Sequence, residues 1–104
     1  MPTLTTEHGR EYEVDGKHLT WTTDAWEDEK PTTIRLPLRI KLGAILKIAE
    51  AGDLNDNSTQ LKILLSIVPA ARKVLEDMDV NDFRQMFETW LTTYNTLTGT
   101  TLGE

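Results

Sequence analysis

The richest supply of metal-ligating oxygens lies in Asp53-Leu54-Asn55-Asp56-Asn57-Ser58-Thr59, where carboxylates, amides and hydroxyls recur much as they do in a calcium loop. An EF-hand also needs glycine at its sixth position and a bidentate acid at its twelfth, and Ser58 and Leu64 stand there instead. The segment reads as an Asx-type turn and a helix cap. A second group of carboxylates, Glu76, Asp77, Asp79 and Asp82, has the makings of an acid–base pair. Nothing nearby supplies the burial that would raise one of their pKa values, so they read as caps and solvated charge. His8 and His18 are too few for a zinc site, and His18 is expected on the outer face of a hairpin opposite Glu13. Ser58 and Ser66 lack a G-x-S-x-G context, and the six glycines form no phosphate-cradling loop. No catalytic, cofactor-binding or metal-binding residue is assigned, and an enzyme is not expected.

Composition narrows the remaining classes. The chain has 104 residues, 38% hydrophobic and 27% charged, which suits one folded domain rather than a disordered or low-complexity segment. Seventeen acidic against eleven basic residues give a net charge of −6, which repels a phosphate backbone and argues against nucleic acid as a partner. The absence of cysteine removes disulfides, thiolate metal sites and thiol nucleophiles. Apolar runs are short and Met1-Pro2-Thr3 is not a basic leader, so the expectation is a cytoplasmic protein without a membrane span or secretion signal.

The elements that would position any functional side chain can be read from periodicity. Glu11–Val14 and Lys17–Thr22 flank Asp15-Gly16, which predicts a hairpin with a two-residue type I′ turn. That register pairs Val14 with Lys17, Tyr12 with Leu19 and Arg10 with Trp21, turning Tyr12, Val14, Leu19 and Trp21 to one face. Ile34 and Leu36 alternate within a third strand over Thr32–Leu36. A first helix is expected over Leu38–Ala51, its inner stripe being Leu38, Leu42, Ile45, Leu46 and Ala49, with Ile40 and Ile48 in excess. A largely buried second helix follows from Ser58 to about Ile67, with Asn57 and Gln60 resembling a capping box. Pro69 ends it and opens a short third helix to about Met78, with Val74, Leu75 and Met78 inward. Val80, Phe83, Met86, Phe87, Trp90, Leu91, Tyr94 and Leu97 mark the last helix, capped by Asp79 and stopped by Gly99. The expected fold is therefore α+β, a small N-terminal antiparallel sheet (a hairpin plus a third strand) followed by a four-helix C-terminal region. Residues 1–104 form one domain, with the sheet in 10–36, the helices in 38–98, and 1–9 and 99–104 flexible.

Several segments together carry a resemblance. They are Met78-Asp79-Val80-Asn81-Asp82-Phe83, Phe87-x-x-Trp90, Tyr94-Asn95-x-Leu97-x-Gly99, Gly16-Lys17-His18-Leu19-Thr20-Trp21-Thr22 and Leu36-Pro37-Leu38-Arg39-Ile40-Lys41. Taken in order across residues 14–104, they resemble the tail assembly chaperones of long-tailed, siphovirus-type phages of actinobacteria. The resemblance implies a non-enzymatic viral protein that binds the tape measure protein and keeps it soluble in the host cytoplasm while the tail tube is assembled, and that is absent from the mature virion. It also implies a short form and a longer form made by programmed frameshifting. This chain, stopping soon after its last helix, is similar to the short one. The tail tube protein and the longer form are further expected partners, and weak homo-oligomers are expected from binding many copies along one client. The alternative is a small phage structural protein, a head–tail connector or tail completion subunit, retained in the virion.

Trp21, Trp26, Ile40 and Ile48 are the candidate partner-binding residues. Trp26 lies in the polar run Asp24-Ala25-Trp26-Glu27-Asp28-Glu29-Lys30, where an aromatic side chain suits an interface anchor. For each of the four, the competing expectation is burial between sheet and helices. EDTA or added calcium should leave the melting temperature unchanged in scanning calorimetry, because a ligand bound only by the folded state raises it. A calcium-dependent rise would restore Asp53–Thr59 as a metal loop.

Overall fold

A computed structural model of the chain describes residues 3–24, 26 and 30–99. Its four strands are β1 (Thr3–Thr5), β2 (Glu11–Val14), β3 (His18–Thr22) and β4 (Thr33–Pro37), paired antiparallel in the order β1-β2-β3-β4. The helices follow as α1 (Leu42–Ala51), α2 (Asn57–Ile67), α3 (Arg72–Glu76) and α4 (Val80–Thr98), with a 3₁₀ turn at Pro69–Ala71 before α3. The α+β fold is thus the expected one, with one strand more. Thr3–Thr5, within a segment expected to be flexible, lines up against Glu11–Glu13. Of residues 99–104, only Gly99 lies among the described residues.

The hairpin keeps its predicted faces but not its predicted turn. Tyr12 pairs with Trp21 and Val14 with Leu19, so the loop is Gly16-Lys17 rather than Asp15-Gly16. Asp15 is drawn into the closing pair because its carboxylate accepts from the backbone N–H groups of Lys17 and His18, at 2.9 and 2.7 Å. Gly16, at φ 87°, supplies the only positive φ this loop needs, as in a turn of II′ type with glycine first. Moving the loop by one residue slides the register by two, and the strand period of two preserves each side chain's face. The same slide separates His18 from Glu13, and the His18 ring meets Arg35 on β4 at 3.2 Å. The backbone bonds to Lys17 and His18 hold the Asp15 carboxyl below its ordinary value of 3.8, helped by the charges of His18 and Arg35. That stabilisation is complete above the ordinary value and is lost as pH falls through the lowered one.

Leu19 and Trp21 on β3, with Ile34 and Leu36 on β4, form the buried face of the sheet. Against it lie Leu38, Ile48, Ile63, Leu64 and Leu75, and the α4 stripe Phe83, Met86, Phe87, Trp90 and Tyr94. Trp90, fully buried, donates its indole N–H to the Pro37 carbonyl at 2.8 Å, so the longest helix is bonded directly to the end of β4. The α4 caps are as expected. Asp79 accepts from the N–H groups of Asn81 and Asp82, and Gly99 turns left-handed at φ 69°. Val80 and Leu97, counted in the expected inner stripe, lie at the two ends of α4 and are exposed.

The first helix departs most from expectation. Leu38 donates its N–H to the Lys17 carbonyl at 2.7 Å, which continues the β3–β4 ladder and keeps Leu38 extended, so α1 begins four residues late. Its phase also differs. Ile48 is buried at 4% exposure, whereas Leu42 and Leu46 are 80% and 57% exposed and Ala49 also faces outward. Leu42, Ala44, Ile45, Leu46, Ile48, Ala49 and Ala51 cover a broad arc opposite Gly43, Lys47 and Glu50, wider than one contact can bury, and Leu42 and Leu46 fall at its exposed edge. In α2 the cap is Asp56, which accepts from the Thr59 N–H and hydroxyl, rather than Asn57. Gln60 does not complete a capping box: it is buried and its amide donates to the Leu54 carbonyl.

Trp90→Ala should cost about 3–5 kcal/mol, a large part of a small domain's stability, because it empties a buried ring site and strands the Pro37 carbonyl. Leu46→Ala should stay within about 0.5 kcal/mol of the parent, as exposed substitutions usually do. Urea denaturation of the two variants checks both.

Candidate partner-binding surfaces

Of the four carboxylates read from sequence as a possible acid–base group, three have partners within the fold. Asp79 caps α4, and Glu76 pairs with Arg72 at 2.9 Å on the surface. Asp82 corrects the expectation of solvated charge, since it is only 3% exposed. Its Oδ1 accepts from Trp21 Nε1 at 3.0 Å and Arg10 Nε at 3.1 Å, and its Oδ2 accepts from the Asp24 N–H at 2.8 Å. The Arg10 guanidinium also donates to the Thr22 carbonyl and lies over the Trp21 ring, 5.8 Å from its centroid. A carboxylate that accepts from three N–H groups on the sheet side acts as a pin between sheet and helix. Sequence reasoning missed Arg10 and Asp24 altogether. The available signal was that an inward Trp21 must find an acceptor for its indole N–H. In the Asp53–Thr59 segment, Asp53 accepts from the Asn55 N–H and Asp56 caps α2, giving the expected Asx turn and cap.

The four candidate partner-binding residues separate cleanly. Trp21 is fully buried under Tyr12, with ring centroids 6.1 Å apart, and Ile48 is in the core, so neither offers surface to a partner. Ile40 is half-buried and lines a shallow cleft of about 410 Å³ together with Pro37, Arg39 and Lys41. Trp26 is the exposed one. It is 48% exposed, and its indole N–H donates to the Asp77 carbonyl at 2.5 Å, which fixes the ring across the start of the α3–α4 connection. Beside it lies a cleft of about 180 Å³ lined by Val74 and Met78 together with the polar and charged Thr23, Asp24, Lys30, Thr32, Lys73 and Asp77. Neighbouring positions 25 and 27–29, part of the expected polar loop, lie outside the described residues.

The chain matches no protein-family model, no curated protein and no solved structure. Functional inference therefore rests on these surfaces and on the sequence. Among the described residues, no group of three or more His, Cys, Asp or Glu side chains is placed to hold a metal ion. No described helix is long and apolar enough to cross a membrane. A polar cleft of about 420 Å³ between the first two strands and α4 gathers Thr5, His8, Tyr12, Gln85, Glu88 and Thr92, and the buried Gln85 Oε1 has no hydrogen-bond partner. Among the described residues, apolar side chains remain uncovered beside Trp26, on the outer face of α1, and in a groove of about 340 Å³ lined by Leu61, Leu75, Met78, Val80 and Phe83. Leu42 and Leu46, sequence candidates for the core, are the exposed large side chains that spacing did not reveal.

Asp82→Ala should destabilise the protein by on the order of 3 kcal/mol, because it leaves the buried Trp21 indole N–H without an acceptor and removes one partner of the half-buried Arg10 guanidinium. Thermal unfolding followed by tryptophan fluorescence measures the loss.

Proposed function

We propose that this protein is a tail assembly chaperone of the siphovirus type, which binds the tape measure protein and holds it in solution until the tail tube encloses it. The observation that carries the reading on the structural side is Trp26. Its ring is held by a hydrogen bond yet left half open beside a cleft that mixes Val74 and Met78 with polar and charged side chains. Such a side chain has already lost much of its rotational freedom, so covering it with a client's apolar helix face costs little further entropy. Tryptophan in that setting is the residue type that most often dominates a binding interface.

The rest of the chain suits a holding role. A client with many exposed apolar helix turns is best served by many modest contacts spread along its length, and none of these requires bond-making chemistry. The net charge of −6 gives each bound copy a repulsive surface, which counters coalescence of coated clients. The resemblance spanning residues 14–104 names the client class, and the longer frameshifted form and the tail tube protein follow from it as further partners.

Co-expression with the tape measure protein of the same genome, with and without the longer form, tests the reading. The expected result is a larger soluble fraction of the client and a complex that co-purifies. Trp26→Ala should weaken that complex about tenfold or more while moving the free protein's melting temperature by no more than a degree or two. Failure to improve client solubility even with the longer form present, together with no complex, overturns the proposal. Detection of the chain by mass spectrometry in purified virions favours a retained connector or completion subunit instead.

A further inference from the structure

The Arg10–Asp82 ion pair also fastens the β1–β2 turn to α4. Arg10 closes that turn with three hydrogen bonds around it: Thr6 N–H to the Arg10 carbonyl at 2.8 Å, Gly9 N–H to the Thr6 carbonyl at 3.0 Å, and Arg10 N–H to Thr6 Oγ1 at 3.1 Å. Gly9 takes φ 82°, as the last residue of a three-residue hairpin loop of this kind requires. Asp82 stands one helical turn before Gln85, and Gln85, Glu88, Thr89, Thr92 and Thr93 share one face of α4. Between that face and the turn lies the polar cleft of about 420 Å³. Its lining is rich in acceptors and short of cations. Glu7 on the turn and Glu88 on α4 both line it, and neither has a hydrogen bond or ion pair among the described residues. Gln85 Oε1 is buried without a donor. Thr93 donates its hydroxyl hydrogen to the Thr89 carbonyl at 2.7 Å, so only its oxygen lone pairs remain to be met. Neither residues 3–9 nor residues 85–99 contain a lysine or arginine. The arginines flanking them are engaged elsewhere, Arg10 with Asp82 and the Thr22 carbonyl, and Arg84 with the Asn57 amide oxygen. His8 is the one lining side chain that can become cationic, and it stands exposed on the turn.

We propose that this cleft binds a guanidinium group, presented as an arginine side chain of a partner protein. Carboxylates on two walls with no cation on either call for a positive charge between them. The acceptors are dispersed, two carboxylates on opposite walls and an amide and a hydroxyl oxygen along α4. A flat fork of five N–H donors can meet several of them at once, whereas an ammonium is a compact, strongly hydrated point charge. Tyr12, half-buried and stacked on Trp21, also lines the cleft and gives a planar cation an aromatic surface to pack on. Gln85 is itself half-buried, so its amide reaches the cleft by turning its side chain, and a bound donor meets an oxygen that nothing in the monomer meets. The rest of the lining is mainly threonine, whose hydroxyls suit the peptide groups on either side of an arginine better than a bare small cation. Because the ion pair and the turn hold both walls in place beforehand, little ordering is left for the ligand to impose.

The site belongs to the free protein and does not depend on the chaperone reading, so its test contains no client. Isotope-labelled protein is titrated at low salt with the peptide acetyl-Gly-Arg-Gly-amide and followed by NMR. The amide signals of residues 6–9 and 85–93 should shift and saturate. The same peptide with citrulline, which keeps the shape without the charge, should bind about tenfold more weakly or worse, as should be expected when a charge-assisted pair is lost. Its lysine counterpart should also bind more weakly. Glu88→Gln should weaken arginine binding by a similar factor without moving the melting temperature, since Glu88 is exposed and unpaired among the described residues. Glu50→Gln makes the same change of charge at a residue that does not line the cleft and should leave binding as it is, which separates the site from general attraction to a chain of net charge −6. Gln85→Leu should weaken binding while the melting temperature holds or rises, because an acceptor without a donor stabilises nothing. Ethylguanidinium, with the charge but no peptide groups, should bind more weakly than the arginine peptide. The proposal is overturned by the absence of saturable shifts at these residues, by a citrulline peptide that binds equally well, or by Glu50→Gln acting like Glu88→Gln. Ethylguanidinium binding as tightly as the peptide overturns the assignment to a protein side chain.

Discussion

The Asp82 carboxylate holds the two halves of this protein in register. It belongs to the first turn of α4, yet its partners are the indole of Trp21 on β3, the guanidinium of Arg10 ahead of β2 and the backbone of Asp24 where the chain leaves the sheet. Burying an anion is expensive unless every lone pair is met, and here the partners are one cation and two neutral N–H donors. The compensation is directional, so α4 can seat on the sheet in one rotation and at one depth. The aromatic stripe then follows: with the start of the helix fixed, Phe87, Trp90 and Tyr94 succeed one another at ring separations of 5.8 and 6.3 Å, and Trp90 reaches Pro37. At one end of this contact a carboxylate is met by N–H donors, and at the other an indole N–H is met by the Pro37 carbonyl. Between them the core needs no further polar link.

How far the sequence reveals this arrangement depends on how many independent constraints act on each segment. Helix α4 is legible to the residue because periodicity, an aspartate cap and a terminating glycine agree, and only its exposed ends, Val80 and Leu97, were assigned to the wrong side. The hairpin is legible in its faces and misread in its loop, since Asp15 has two uses and the local sequence does not say whether it sits in the turn or closes it. In α1 the apolar arc is broader than one contact can bury, and the start of the helix depends on a hydrogen bond from Leu38 to Lys17, which no local window contains. Asp82 was seen as a first-turn acid, which it is. Its burial depends on Arg10 and Trp21, which no local window contains.

The surfaces left over were hardest to foresee, for a related reason. A sequence shows which side chains are apolar, but not how many the core can accommodate. The sheet and α4 already supply several of the largest buried groups, so the surplus on α1 is turned outward and Trp26 remains half covered. Trp21 and Ile48, equal candidates on composition, are absorbed into the core instead. Selecting candidates by type therefore includes the exposed Trp26 and leaves out the exposed Leu42 and Leu46.

The order β1-β2-β3-β4 has a consequence for how the protein forms. Each strand pairs with the one made just before it, so the sheet is closed by a series of short loops whose entropic cost is small, and it can assemble as the chain lengthens. The bond between Trp21 and Asp82 joins residues 61 apart and requires α4 to be present. A nascent chain can thus carry a complete meander with its indole face uncovered, awaiting a helix whose Asp82 lies 61 residues beyond Trp21. During synthesis, the protein exposes an apolar surface of its own before it can cover it.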